Sequence, residues 1–136
     1  MRRTCVVNIT YGFGKVVGLP FDQAIERVTQ LLRNEGFGVL TDIDVAATFK
    51  KKLGKDISPY RILGACNPTL ADRAIALEPS IGLLLPCNVL VRQDEKQQVH
   101  VEFMDPIAVL ALVQRADVEP VAREVRARLE RILEAL

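Results

Sequence analysis

Apolar and polar residues recur with two different periods along the chain, and these periods predict both strands and helices. Between residues 98 and 104 the alternation is strict, which predicts a half-buried strand. Its apolar face carries Val99, Val101 and Phe103. Residues 20–35 and 118–136 instead repeat apolar side chains at helical spacing, which predicts two amphipathic helices that each pack one face on a core.

Turn and capping residues divide the rest of the chain into shorter elements. Asn67 followed by Pro68 is a specific helix-start signal, and Pro79 ends that helix. The predicted order is a strand over 4–17 bent at Gly12 and Gly14, a helix over 20–35, a strand over 37–45, a short helix over 45–53, a strand over 60–65, a helix over 67–77, a strand over 81–91 interrupted at Pro86, a strand over 98–104, and helices over 105–113 and 118–136.

This order predicts a single domain over residues 1–136 with an α+β fold. The strands over 81–91 and 98–104 are separated by a short polar turn, so we expect them to form a hairpin. A hairpin argues against a purely parallel sheet. We therefore expect a two-layer sandwich, with a mostly antiparallel sheet and helices packed on one face. The second face of such a sheet is a natural dimer surface.

Composition narrows the possible partners. Eighteen basic and 17 acidic residues leave a net charge of +1, which gives no electrostatic reason to expect nucleic acid or an acidic membrane. Aromatic residues make up 5% of the chain and Trp is absent, which also argues against base stacking. The N-terminal residues lack an apolar segment, so we expect no signal peptide there, and no apolar stretch of about 20 residues occurs. With three cysteines, an odd number, this predicts a cytoplasmic protein with reduced thiols and no membrane contact.

The dipeptide Cys-Asn occurs twice, at Cys66-Asn67 and at Cys87-Asn88, each time beside a proline. A thiol next to a helix N-terminus can have a lowered pKa, and the amides there can bind a small anion. If the two strands that carry the pairs are neighbours, both pairs meet in one polar corner at the end of the sheet. Cys66 and Cys87 are the candidates for thiol catalysis, and all four residues are candidates for ligand binding. Simple packing of the cysteines, with Asn67 as a helix cap, is the alternative.

Other residues give weaker signals. His100 is the single histidine and lies on the polar face of its predicted strand, where a surface or dimer contact is expected. Cys5 is expected to pack within the first strand. Asp44 and Asp105 are expected to be helix caps, and Lys50–Lys52 a solvated helix face. No residue set has the spacing of a recognised metal site, and no cofactor is predicted.

Three segments resemble a known family: PFDQAIERVTQLLRNEGFGVLTDIDVAATFKKKLG, PYRILGACNPTLADRAI and GLLLPCNVLV. They are similar to domain-of-unknown-function family 302 (DUF302) of bacteria and archaea, over about residues 11–104 and weakly into the C-terminal helices over 105–136. The resemblance implies a compact α+β fold and a homodimer, without an established activity. The family's motif positions fall on Cys66, Asn67, Pro68, Pro86, Cys87 and Asn88.

We therefore expect an uncharacterised protein whose two Cys-Asn motifs form a site for a small ligand, such as a small molecule or an anion, or for thiol chemistry. Two alternatives remain open at this point. One is a homodimeric structural or interaction protein with buried cysteines and no chemistry. The other is a metal-binding or redox and sulfur-handling enzyme. The sequence leaves open whether the protein is an enzyme at all.

Overall fold

The computed structural model describes residues 6–136. Its strands form a single six-stranded sheet in the order β1-β2-β6-β5-β4-β3. Every neighbouring pair is antiparallel. The strands are β1 (Val6–Ile9), β2 (Gly12–Val17), β3 (Gly38–Asp44), β4 (Tyr60–Cys66), β5 (Cys87–Gln93) and β6 (Val99–Met104). The predicted hairpin of the last two strands is confirmed.

Helices connect and cover these strands. They are α1 (Phe21–Asn34), α2 (Val45–Leu53), α3 (Pro68–Leu77), α4 (Pro106–Leu110) and α5 (Glu119–Ala135), with 3-10 helices over Pro79–Leu84 and Ala111–Val113. The predicted caps at Asp44, Asn67 and Asp105 are confirmed, because each side chain accepts a hydrogen bond from a backbone N–H of the first turn. Within residues 6–136, no helix is both long and apolar enough to cross a membrane.

The core lies between one face of the sheet and the helices, so the predicted α+β sandwich is confirmed. Strict alternation along β5 and β6 buries one side of each strand, including Val89, Val91 and Val101. The helical stripe of α5 buries Leu129 and Ile132 in the same core. The other face of the sheet remains outside this core.

The predicted strand over 4–17 is wrong, because the chain folds back at Thr10 and Tyr11 to form the hairpin of β1 and β2. Two-residue hairpin turns usually carry Asn-Gly or a related pair, and Thr-Tyr gives no such signal. Cys5, placed in this strand by the sequence, lies outside the described residues.

The predicted strand over 81–91 is also too long. Pro79 begins a 3-10 helix that ends at Leu84, and β5 begins only at Cys87. Proline favours the first position of a helix but lacks the N–H needed inside a sheet, so Pro79 and Pro86 bound the irregular segment on both sides. This segment lies outside the sheet but is still apolar, because Ile81 is buried in the core.

Candidate functional site

The two cysteines of the Cys-Asn pairs lie at the same end of the sheet, on neighbouring strands. Strands β4 and β5 are neighbours, and their register places Ala65 opposite Cys87. Opposite Cα atoms in an antiparallel pair are about 5 Å apart and consecutive ones about 3.8 Å. The Cα atoms of Cys66 and Cys87 therefore lie within about 9 Å of each other.

A cavity of about 330 Å³ opens at this end of the sheet, between the strands and the helices α3 and α5. Cys66, Asn67 and Cys87 all line it. Its further walls include Phe37, Leu70, Ala74, Leu110, Val121 and Val125. None of the described residues that line the cavity carries a charge at neutral pH. The expected polar corner is thus a mainly apolar cavity.

Asn88 lies elsewhere. Because side chains alternate across a strand, the burial of Cys87 on the core side sends the next side chain to the opposite face. There the exposed Asn88 lines a wide concave surface with Leu90, Arg92 and Glu102. The structure brings three of the four candidate ligand-binding residues to one cavity and leaves Asn88 outside it.

The two thiols have different surroundings. Cys87 is buried, with 7% of its surface exposed, whereas Cys66 is half-buried. Burial raises the pKa of the Cys87 thiol to about 11, and the nearby Cys66 contributes a smaller increase. At neutral pH the Cys87 side chain is therefore a protonated thiol and not a nucleophile. Of the two, Cys66 is the one that solvent and reagents can reach.

Asn67 is held in place from two sides. Its Oδ1 accepts a hydrogen bond of 3.2 Å from the Leu70 backbone N–H, which caps α3. Its Nδ2 packs against Gly36, where φ is +85° and an added Cβ would lie 2.9 Å from that nitrogen. Glycine is needed at position 36 both for its backbone conformation and for this close approach. Only 8% of the Asn67 surface is exposed.

Two arginines of α5 fix the segment that supports Asn67. Arg128 Nη1 donates a hydrogen bond of 2.7 Å to the Glu35 carbonyl oxygen. Arg131 Nη2 donates one of 2.8 Å to the Glu35 carboxylate, and this bond is the main reason why the pKa of Glu35 is lowered. The C-terminal end of α1 is thereby tied to α5 beside the cavity.

The remaining candidates lie away from the cavity. His100 Nε2 and Asp94 Oδ2 share a hydrogen bond of 2.8 Å at the β5–β6 hairpin, and this bond is the largest cause of the lowered pKa of Asp94. Lys50, Lys51 and Lys52 are exposed on α2. Across residues 6–136, no group of three or more His, Cys, Asp or Glu side chains is arranged to hold a metal ion.

Sequence reasoning missed the walls of the cavity. Leu70 and Ala74, four residues apart on α3, and Val121 and Val125, four apart on α5, carry an ordinary apolar helix pattern. That pattern predicts burial. It does not distinguish a residue that packs on a neighbour from one that borders a cavity, because the difference depends on how the helices are placed on the sheet.

The comparisons with known proteins agree with this fold. A family model described as "Domain of unknown function DUF302" matches residues 13–136. A crystal structure of an uncharacterized conserved protein DUF302 from Bacillus stearothermophilus is 27% identical, with a TM-score of 0.86 over 93% of this chain and 98% of that one. A search of curated proteins finds no match.

Proposed function

Since the chain belongs to domain-of-unknown-function family 302, whose description names no activity, we propose from its cavity that it binds a small, neutral, apolar molecule. The observation that carries this proposal is the cavity of about 330 Å³ beside Cys66, Asn67 and Cys87, with no charged lining residue among those described. Ligand sites are typically concave, of a few hundred Å³, and mostly apolar with a few polar groups.

The rim of the cavity supports an apolar ligand. Leu40 and Ile75 line the cavity while remaining 66% and 46% exposed. Large apolar side chains grouped at the opening of a cavity are typical of ligand grooves. An anion is a poorer fit, because the described lining residues offer no cation to balance its charge.

Binding of a neutral fluorescent dye, N-phenyl-1-naphthylamine, tests the proposal. Ala71 is a half-buried lining residue on α3, so Ala71→Phe places a ring in the cavity. Ala76→Phe is the matched control, because Ala76 lies exposed on the same helix and does not line the cavity. We expect saturable binding at one site per chain, weakened at least tenfold by Ala71→Phe alone. Absence of binding, or equal binding by both variants, would refute the proposal.

We also propose that a second copy of the chain covers the outer face of the sheet, as the family resemblance suggested. That face combines apolar side chains such as Leu90 and Met104 with the Arg92–Glu102 ion pair of 2.6 Å. Because the pair neutralises its own charges, two such faces can meet without repulsion.

Sedimentation velocity tests this pairing, and we expect the unmodified protein to be a dimer. Leu90→Lys should convert the dimer to a monomer. Glu95→Lys, in the exposed β5–β6 turn, is the control and should leave the dimer intact. A monomeric unmodified protein would refute this pairing.

A further inference from the structure

The two ends of the Asn67 side-chain amide differ in their hydrogen bonding. Its Oδ1 accepts the hydrogen bond of 3.2 Å from the Leu70 backbone N–H, and this bond also identifies Nδ2 as the donor end of the amide. Within residues 6–136, Nδ2 finds no acceptor. A neutral amide nitrogen carries two N–H groups, so Asn67 retains hydrogen-bonding capacity that the described part of the chain does not use.

Nδ2 also keeps contact with accessible space. Among residues 6–136, Arg128 Nε is the one fully enclosed side-chain nitrogen or oxygen without a hydrogen-bond partner. Asn67 Nδ2 has no partner there either, so it is not fully enclosed, and the acceptor atom of a small molecule can reach it. Asn67 itself is a lining residue of the apolar cavity.

The surroundings of Nδ2 belong to the wall of this cavity. An added Cβ at Gly36 would lie 2.9 Å from Nδ2 and 3.2 Å from Arg128 Nη1, so both side chains converge on Gly36. Gly36 precedes the lining residue Phe37, and Arg128 lies one helical turn beyond the lining residue Val125. A guanidinium group donates hydrogen bonds and accepts none, so Arg128 does not supply the acceptor that Nδ2 lacks.

An amide donor without an acceptor selects among apolar ligands. A pure hydrocarbon that enters the cavity displaces water from Nδ2 and leaves the donor unpaired, which costs free energy. A ligand oxygen that accepts a hydrogen bond from Nδ2 avoids this cost and fixes the orientation of the molecule. A carbonyl oxygen fits best, because it accepts a hydrogen bond without adding a charge that the described lining residues do not balance.

We propose that the ligand of the cavity is an apolar carbonyl compound, such as a ketone or an ester, whose oxygen accepts a hydrogen bond from Asn67 Nδ2. This inference rests on the function proposed above and names the class of ligand. Asn67 then has two roles, because its Oδ1 caps α3 while its Nδ2 selects the ligand.

Two ligands of nearly the same shape test the inference. One is 2-acetylnaphthalene, a ketone, and the other is 2-isopropenylnaphthalene, an alkene in which a methylene group replaces the oxygen. Competition with N-phenyl-1-naphthylamine gives the dissociation constant of each. Asn67→Ser retains a capping oxygen but lacks Nδ2, and Asn88→Ser is the matched control outside the cavity.

The ratio of the two dissociation constants isolates the hydrogen bond, because a general change in the cavity affects both ligands. We expect Asn67→Ser to weaken binding of the ketone relative to the alkene by at least about threefold, as for the loss of one neutral hydrogen bond. Asn88→Ser should leave the ratio unchanged. Circular dichroism must first show that Asn67→Ser is folded, and Asn67→Asp, which also caps a helix, replaces it if it is not.

Infrared spectroscopy adds a readout that loss of the helix cap alone does not move. The carbonyl stretch of bound 2-acetylnaphthalene should lie at lower frequency in the unmodified protein and in Asn88→Ser than in Asn67→Ser, because a hydrogen bond weakens the C=O bond. Equal frequencies in the three proteins, or a ratio changed by less than about threefold, overturn this inference while the apolar site stands. If neither ligand binds the unmodified protein, the proposed function fails and this inference fails with it.

Discussion

The Cys66-Asn67 and Cys87-Asn88 pairs contain the same two residues, but the fold gives them opposite arrangements. In the first pair the thiol is half-buried and the amide is buried as a helix cap. In the second pair the thiol is buried in the core and the amide is exposed on the other face of the sheet. The difference arises because one pair ends a strand and begins a helix, whereas the other begins a strand. A repeated dipeptide is therefore no guide to a repeated role.

The largest expected effect concerns the buried thiol. Folding raises the pKa of Cys87 from 9.0 to about 11, so the folded chain holds this proton more tightly than the unfolded chain. The resulting stability is fully present below about pH 9 and is lost as the pH rises through about 11. We expect the free energy of unfolding to lose about 2–3 kcal/mol from this source. Urea titrations of the unmodified protein and of Cys87→Ala, repeated between about pH 9 and 11, give two free energies of unfolding at each pH. The difference between them measures the loss.

Groups that titrate alike in both proteins cancel in that difference. A parallel series with Cys66→Ala provides the comparison between the pairs, because this thiol is only half-buried. If the free energy of unfolding depends on pH identically in the unmodified protein and in Cys87→Ala, the second pair does not hold a buried, protonated thiol.

A smaller effect is expected at the residue that supports Asn67. Gly36→Ala forces a side chain onto a residue with φ of +85° and brings its Cβ to 2.9 Å from Asn67 Nδ2. We expect a loss of about 1–3 kcal/mol in the free energy of unfolding, from backbone strain and from displacement of the cap. Chemical denaturation measures the loss. Gly54→Ala is the control, because its φ is also positive, at +64°, but nothing lies within 4 Å of the added Cβ. Equal losses would mean that the contact with Asn67 contributes nothing.

Removal of the cap itself should cost less. Asn67→Ala deletes the oxygen that accepts the hydrogen bond from the Leu70 backbone N–H, and we expect about 1 kcal/mol of destabilisation in thermal or urea unfolding. Asn67→Asp retains a capping oxygen and should recover most of that loss. If Asn67→Asp is as unstable as Asn67→Ala, capping is not what Asn67 contributes.

The smallest effect is expected at the matching residue of the second pair. Asn88 is exposed, so Asn88→Ala should change the free energy of unfolding by less than about 0.5 kcal/mol. The same variant should bind N-phenyl-1-naphthylamine like the unmodified protein, because Asn88 does not line the cavity. A clear loss of dye binding would place Asn88 in the site after all and would remove the contrast between the pairs.

Local signals in the sequence predicted much of the fold. The Asn67-Pro68 start, the cap at Asp44 and the strict alternation of residues 98–104 each depend on neighbouring residues, and each is confirmed. The first hairpin and the 3-10 helix at Pro79 were missed because neither has a clear signal in its neighbouring residues. Thr10-Tyr11 lacks the usual turn residues, and an apolar segment between two prolines looks like a strand when only its composition is read.

The site was only partly predictable. The sequence predicted that the two Cys-Asn pairs lie at one end of the sheet if their strands are neighbours, and β4 and β5 are neighbours. Two facts depended on three-dimensional placement. One is the apolar cavity, which α3 and α5 enclose from a distance in sequence. The other is the separation of Asn88 from its neighbour, which follows from where β5 begins.

The central claim is that the first pair and the buried thiol of the second border an apolar cavity able to hold a small molecule. Diffraction from crystals under xenon pressure tests this most directly, because xenon occupies apolar cavities without needing a specific ligand. The account predicts a xenon peak between Cys87, Leu70 and Val125, which disappears in Ala71→Phe and persists in Ala76→Phe. A cavity filled by collapsed side chains, or ordered water there in place of xenon, would contradict it.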